Sequence, residues 1–194
     1  MKVVAFNGSS RKDGNTSILT NYVLQELERE GIETELIQLA GKPIRGCMAC
    51  YKCMEKLNQR CSVTNDIINE CIEKIIESQG IILASPTYFC NVTAETKALI
   101  DRAGLVGKAN SDLYKRKVGV AVVTERRMGS IHTFNSINHF FFINQMIVPG
   151  SNYWNMGIGM EKGDVEKDGE GIETAQLLGQ NMAWLLKKIN HDDR

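Results

Sequence analysis

The sequence predicts an α/β fold: a three-layer sandwich around a five-stranded parallel sheet of strand order 2-1-3-4-5. Three observations predict it. Short apolar runs alternate along the chain with stretches of 3.6-residue periodicity. The apolar runs are nearly unbroken, as in strands covered on both faces; Val118–Val123 is apolar at every position but Gly119. Polar loops carrying glycine, serine or proline follow several of the runs. In such sheets, ligands bind beyond the carboxyl ends of the strands.

Lys2–Phe6 reads as the first buried strand, and Asn7–Asn15 as a polar loop. Thr16–Glu30 reads as a helix with Ile18, Leu19, Tyr22, Val23 and Leu27 on one face, ended by Gly31. Glu33–Leu39 reads as the second strand. A cysteine-rich insertion at 46–61 follows it. Ile67, Ile68, Cys71, Ile72, Ile75 and Ile76 then form one helical stripe, with Asn65-Asp66 as its N-cap region. Gly80–Ala84 is the third strand, and Ser85-Pro86-Thr87 a turn. Thr93–Arg102 is a helix, Val118–Val123 the fourth strand and Ile131–Phe142 a helix. Met146–Val148, ended by Pro149-Gly150, reads as the fifth strand. Residues 150–190 form a C-terminal unit: a loop to Gly171, then a helix Ile172–Asn190 with Ala175, Leu178, Met182, Leu185, Leu186 and Ile189 inward. The 194 residues are expected to make one domain.

Lys+Arg and Asp+Glu both count 23. This balance, with only short basic clusters, argues against a nucleic-acid binder. No apolar run is long enough for a membrane span, and no signal-peptide pattern opens the chain. The expected compartment is the cytoplasm. There, clustered cysteines point to a metal or redox site in preference to disulfides.

Gly8-Ser9-Ser10-Arg11-Lys12-Asp13-Gly14-Asn15-Thr16 follows a buried strand and opens a helix. A helix start presents free N–H groups and the positive end of a dipole, a natural phosphate site. Ser9, Ser10, Asn15 and Thr16 add side-chain donors, and Arg11 a forked cationic one. The loop is neither a Walker A sequence nor a Gly-x-Gly-x-x-Gly fingerprint. The plain alternative is a capped helix after a tight turn.

Cys47, Cys50, Cys53 and Cys61 form C-x2-C-x2-C-x7-C. Three thiolates at three-residue steps with a fourth on a short return loop suit a cubane iron–sulfur cluster. Zinc is the second reading, because four thiolates also complete its tetrahedron. Cys71 lies on the isoleucine stripe and reads as core. Cys90 reads as core or wall packing. His132, His139 and His191 have no metal-ligand spacing and read as surface residues, and Asp192-Asp193 as a tail. Tyr153-Trp154 reads as an interface anchor or a lid.

The first loop, as strand-Gly-Ser-x-Arg-x-x-x-Asn-Thr, resembles that of the NADPH-dependent FMN reductase superfamily, a flavodoxin-like branch. The similarity extends to about Val148. Ser85-Pro86-Thr87-Tyr88 resembles the Ser-Pro-x-Tyr loop of the same families. The resemblance implies that Ser9, Arg11, Asn15 and Thr16 bind the FMN phosphate. It places Ser85 to Tyr88 along the isoalloxazine ring, with the N–H groups of Thr87 to Phe89 facing the ring's polar edge. Thr124 and Arg126, in a loop less glycine-rich than is usual in relatives, would approach the pyrimidine end. The cysteine spacing resembles the compact motif of the iron–sulfur flavoprotein subfamily. That implies a [4Fe–4S] cluster near the FMN of a partner subunit, and hence a homodimer or homotetramer. NAD(P)H or reduced ferredoxin is then the expected donor, and a small molecule such as a quinone the acceptor. No side chain reads as a catalytic acid or nucleophile, since the flavin carries the chemistry. The sequence is also compatible with two rivals: a cluster-free NAD(P)H-dependent FMN or quinone reductase, and a flavodoxin-like electron carrier without turnover.

Overall fold

Side-chain alternation along the strands builds two cores at once. In a computed structural model that describes residues 1–190, β1 (Lys2–Asn7) sends Val3 and Ala5 to one face of the sheet and Val4 and Phe6 to the other. Strands β2 (Glu33–Gln38), β3 (Gly80–Pro86), β4 (Val118–Glu125) and β5 (Met156–Ile158) complete a sheet of order β2-β1-β3-β4-β5. Every neighbouring pair is parallel. This is the predicted fold class. His191, Asp192 and Asp193 lie outside the described residues.

One core joins Val3, Ala5, Ile82 and Val120 to α1 (Asn15–Arg29) and α6 (Gly169–Ile189). The other joins Val4, Phe6, Leu83 and Val123 to α3 (Ile68–Glu77), α4 (Ala94–Ala109) and α5 (Ser130–Ile143). A five-residue helix, α2 (Lys52–Lys56), lies within the cysteine segment. The isoleucine stripe docks as its period predicts: Ile68, Ile72 and Ile75 are fully buried, as is Cys71. Burial lifts the Cys71 thiol to about 12, so it is a protonated core residue. On α6 the inward face holds at Leu178, Met182 and Leu186, but Ile189 is exposed on the last turn. Among the described residues, no helix is long and apolar enough to cross a membrane.

The fifth strand departs from expectation. Met146–Val148 makes a single bridge, Val118 to Ile147, at the amino end of β4. Pro149 lacks an N–H and turns the chain away. The segment that completes the sheet is Met156-Gly157-Ile158, in the stretch expected to be loop; it pairs with Val123–Glu125. Gly157 is glycine for space. A Cβ there would stand 2.7–2.8 Å from Val165 and Leu19 side-chain carbons. Val165 belongs to a 3-10 turn, Asp164–Lys167, also within the expected loop.

Helix α4 runs beyond the expected Arg102 to Ala109. Gly107, within the added turns, leaves the space that the ring of Tyr114 fills.

Ile72→Ala is expected to cost ~2–5 kcal/mol of stability, through lost burial and the cavity left behind. Ile76, only partly buried, is expected to cost clearly less on the same change. Urea unfolding of the two variants checks this. Equal losses would mean that the stripe does not dock as described.

Candidate functional site

The register brings the carboxyl ends of the strands to one edge: Asn7 lies beside Ala84, and Pro86 beside Thr124. The loop after β1 begins with an enforced close approach. Gly8 donates its N–H to the Ala84 carbonyl (2.8 Å), and its own carbonyl accepts from Thr93 Oγ1 (2.8 Å). Thr93 is the N-cap of α4, its side chain accepting from the Thr96 N–H. A Cβ at Gly8 would overlap Thr96 Oγ1 and come within 2.9 Å of Thr93 Oγ1. Asn7 and Gln38 hold the next residue. Ser9 N–H donates to Asn7 Oδ1, and Gln38 Nε2 donates to the Ser9 carbonyl.

The loop then delivers α1. Its N-cap is Gly14, with no side-chain cap and no acidic residue in the first turn. The first-turn N–H groups and the positive dipole end therefore face the cleft unneutralised. Thr16 Oγ1 bonds Thr124 Oγ1 at 2.7 Å, and Ser10 Oγ bonds the Tyr88 hydroxyl at 2.9 Å. The first loop is thus tied to each of the other two.

These loops enclose a cleft of about 170 Å³. The structure brings nine of the twelve expected cofactor residues to its walls: Ser9, Arg11, Asn15, Thr16, Pro86, Thr87, Tyr88, Thr124 and Arg126. The other three stand elsewhere. Ser10 is exposed and holds Tyr88. Ser85 is fully buried, donating to the Pro86 carbonyl and accepting from Thr93 N–H, so it braces the turn from behind. Phe89 is wholly exposed. It and Cys90 occupy the centre of a tight turn closed by two bonds between Tyr88 and Asn91, both with positive φ. Cys90 is exposed on that turn, which corrects the expectation of core packing, yet its Sγ lies so near Gly129 that a Cβ there would stand 2.9 Å from it. His132 and His139 are exposed, as expected.

Two wall residues have a second task. Asn15 Nδ2 donates to the Glu161 carbonyl (2.8 Å), and its Oδ1 accepts from Gly163 N–H (2.9 Å). Arg11 Nη1 donates to the Met160 carbonyl (2.9 Å). The loop after β5 is therefore laced onto the first loop, and Gly159 and Met160 join the cleft wall. Glu125 joins it too, its carboxylate accepting from the Ser130 N–H at 3.0 Å. Sequence reasoning missed all three. Their signal was weak, since Gly159 and Met160 sit beyond the unrecognised β5.

The four spaced cysteines line one recess together with Arg102 and Val106. Cys53, on α2, is buried and Cys61 partly so, while Cys47 and Cys50 stand exposed at the rim. The backbone around them is strained. Ala49, Tyr51, Leu57 and Gln59 all have φ between 49° and 60°, a region costly for residues with a side chain. Cys50 Sγ pairs with Ser62 Oγ at 3.2 Å, and Ala49 N–H donates to Cys47 Sγ at 3.4 Å. The Ser62 bond, with a backbone bond from Lys52, pulls the Cys50 thiol below its ordinary range, while burial pushes Cys53 above its own. Among the described residues, no three His, Cys, Asp or Glu side chains converge as a single metal ion requires.

Cys61 is held by two residues that sequence reasoning missed. Asn69, buried on α3, bonds the Cys61 N–H and carbonyl at 2.8 and 3.0 Å. Arg102, on α4, donates from Nε to Cys61 Sγ at 3.3 Å and pairs with Asp66, whose side chain is 2% exposed. Burial opposes the Arg102 charge, but the bonds to Asp66 and Cys61 outweigh it and keep the guanidinium above its ordinary pKa. The signal was present: Leu99, Ala103 and Val106 face inward, which puts Arg102 on the buried stripe. Asp66, expected only as a cap, does accept from Ile68 N–H at 3.2 Å.

Residues 1–161 match the NADPH-dependent FMN reductase family model. An iron–sulfur flavoprotein of Methanocaldococcus jannaschii is 40% identical over 97% of this chain and 99% of its own. The chain belongs to the NADPH-dependent FMN reductase family, in its iron–sulfur flavoprotein group. A second member, from Methanosarcina thermophila, is 32% identical over 97% of each chain. Among solved structures, RosB with a bound 8-demethyl-8-formylriboflavin-5'-phosphate has a TM-score of 0.73 at 20% identity, covering all of this chain and 82% of its own. At that identity the likeness supports the flavodoxin-like fold alone.

Gly8→Ala is expected to cost ~1–3 kcal/mol, because the added methyl has no space against Thr93 and Thr96. Thermal unfolding measures it. A neutral substitution would show that the β1–α4 junction yields freely.

Proposed function

We propose that this protein is an FMN-dependent oxidoreductase in which Cys47, Cys50, Cys53 and Cys61 hold a [4Fe–4S] cluster. The observation that carries the flavin part is the single cleft built by the loops after β1, β3 and β4. Its residues fit FMN chemically. The uncapped start of α1, with Ser9, Thr16 and Arg11, offers donors suited to a phosphomonoester. Pro86 to Tyr88 form one wall, and the buried Thr87 hydroxyl has no partner of its own. A larger cavity of about 470 Å³ opens between Phe134, Phe142, Tyr153 and Trp154, but no helix start or cationic side chain faces it.

The cysteine recess fits a cluster by its donor set. Its thiols are spread around a hollow and do not meet at one point, and N–H and O–H groups already face their sulfurs. In a zinc site the four sulfurs would close to within ~4 Å of one another around bonds of about 2.3 Å. When bound, FMN supplies the exchange between one- and two-electron transfer, and the cluster a one-electron store. This chain's residues bind and orient: Arg11 and Thr16 at the phosphate, Tyr88 and Thr87 along the ring, Arg126 at its far end. The donor is NAD(P)H or reduced ferredoxin and the acceptor a small molecule, with a second subunit covering the exposed turn at Phe89 in a homodimer or homotetramer. The rival with an observation behind it is a cluster-free reductase, since Cys47 and Cys50 stand exposed at the rim.

The absorbance spectrum of anaerobically purified protein, with iron and sulfide analysis, separates the two. A broad shoulder bleached by dithionite, with four irons expected per chain, supports the cluster; flavin bands alone reject it. Cys50→Ser is expected to remove the iron and leave the flavin, so wild-type iron content in that variant would sink the four-cysteine assignment. Arg11→Ala is expected to weaken FMN binding by ~1.5–3 kcal/mol, the scale of a hydrogen bond to a charged group. An unchanged flavin titration would take Arg11 out of the site.

A further inference from the structure

Arg102 heads the fully buried side chains by volume. Burying a guanidinium costs several kcal/mol unless its donors are matched. Here they are matched by the cysteine loop. Nη1 donates to the Arg45 carbonyl (2.9 Å) and to Asp66, Nη2 to the Val63 carbonyl (3.0 Å), and Nε to Cys61 Sγ (3.3 Å). One cation therefore grips the segment entering the loop, at Arg45, and the segment leaving it, at Cys61, Val63 and Asp66. Asp66 balances the charge, so what reaches Cys61 is chiefly a directed N–H. The planar fork fixes that direction, because three donors committed elsewhere leave Nε no freedom.

We propose that Arg102 is the positioning residue of the cysteine recess, holding Cys61 as a ligand and tuning the bound group through the Nε–H on its sulfur. This rests on the reading that the four cysteines bind a [4Fe–4S] cluster. Hydrogen bonds to ligating sulfurs are one of the levers that set cluster potentials. Outer partners of ligands typically contribute 10–100-fold to metal retention. A purely structural ion pair would need only Asp66 and the two carbonyls. The bond to Cys61 Sγ is the feature that such a role leaves unused.

Two variants test it in the full-length flavin-loaded chain, with iron and sulfide added anaerobically. Arg102→Lys keeps the charge beside Asp66 but loses the directed Nε–H. Arg102→Met combined with Asp66→Leu removes the buried pair together, so neither charge is stranded. Both are expected to retain wild-type helix content and FMN. Both should lose iron to bipyridyl about 10–100-fold faster and shift the cluster's midpoint potential to more negative values in a redox titration. Folded variants with wild-type iron retention and midpoint overturn the proposal. If the wild-type chain takes up no iron, the cluster reading fails, and Arg102 is judged on the cluster-free chain. Alkylation by iodoacetamide, mapped by mass spectrometry, should then change in rate at Cys61 but not at Cys47 in both variants. Equal Cys61 rates in all three proteins overturn it.

Discussion

The approach of β1 to the start of α4 at Gly8 is the constraint on which the rest of the cleft depends. Thr93 and Thr96 occupy the space where a side chain at residue 8 would lie. The Gly8 N–H and carbonyl are both spent on neighbours, Ala84 and Thr93. With that junction closed, the next residues have one course. Asn7 and Gln38 fix Ser9, Gly14 opens α1, and Thr16 and Ser10 reach across to Thr124 and Tyr88. A parallel sheet supplies only the common edge. Threonine, serine and asparagine side chains turn that edge into a cleft of defined width.

The sheet order and both cores were legible because they rest on periodicity, which is local. Val3 and Val4 go to opposite faces whatever else the chain does. The fifth strand was not legible, because its pattern is not apolar. Met156-Gly157-Ile158 reads as loop, and Gly157 is required by Leu19, 138 positions earlier in the chain. Met146–Val148 carried the better pattern and won only a single bridge. In the cleft, the motif residues were legible as polar groups at a strand end. Their division of labour was not. Asn15 looks like a phosphate donor in sequence, yet in the fold both ends of its amide hold the loop at 161–163. Ser85 sits inside a motif and braces it from the core.

The two sites are built on opposite principles. The cleft is held mainly by side-chain bonds between loops, with a glycine where space is short and non-glycine left-handed residues confined to the turn at Phe89 and Cys90. The cysteine segment places four residues with side chains in the left-handed region within eleven positions. Such conformations persist only where surroundings over-determine them. The surroundings here are Asn69, Arg102 and Asn110, which bond the segment at Cys61, Cys61 Sγ and Gln59. All three are buried; they hold the return half, and Arg102 also holds the Arg45 carbonyl just before the segment. The half bearing Cys47 and Cys50 stays at the surface, so the segment is rigid on one side and open on the other.

Helix α4 connects these principles. Its first turn, through Thr93 and Thr96, closes on Gly8 and so sets the end of the cleft where α1 begins. Its middle, through Arg102, holds both ends of the cysteine segment. Thr96 and Arg102 are six positions apart, ~9 Å of helix rise. An α-helix packed on α3 and the sheet is among the stiffest elements a domain of this size offers. The spacing between the two sites within one chain is therefore set by a single rigid element, not by the loops that form them. The hold on the cysteine segment also explains why a charged residue is tolerated on the buried face of α4. Arg102 reaches past the apolar layer to the cysteine segment with a planar, five-donor group, a span and a geometry that no apolar side chain supplies.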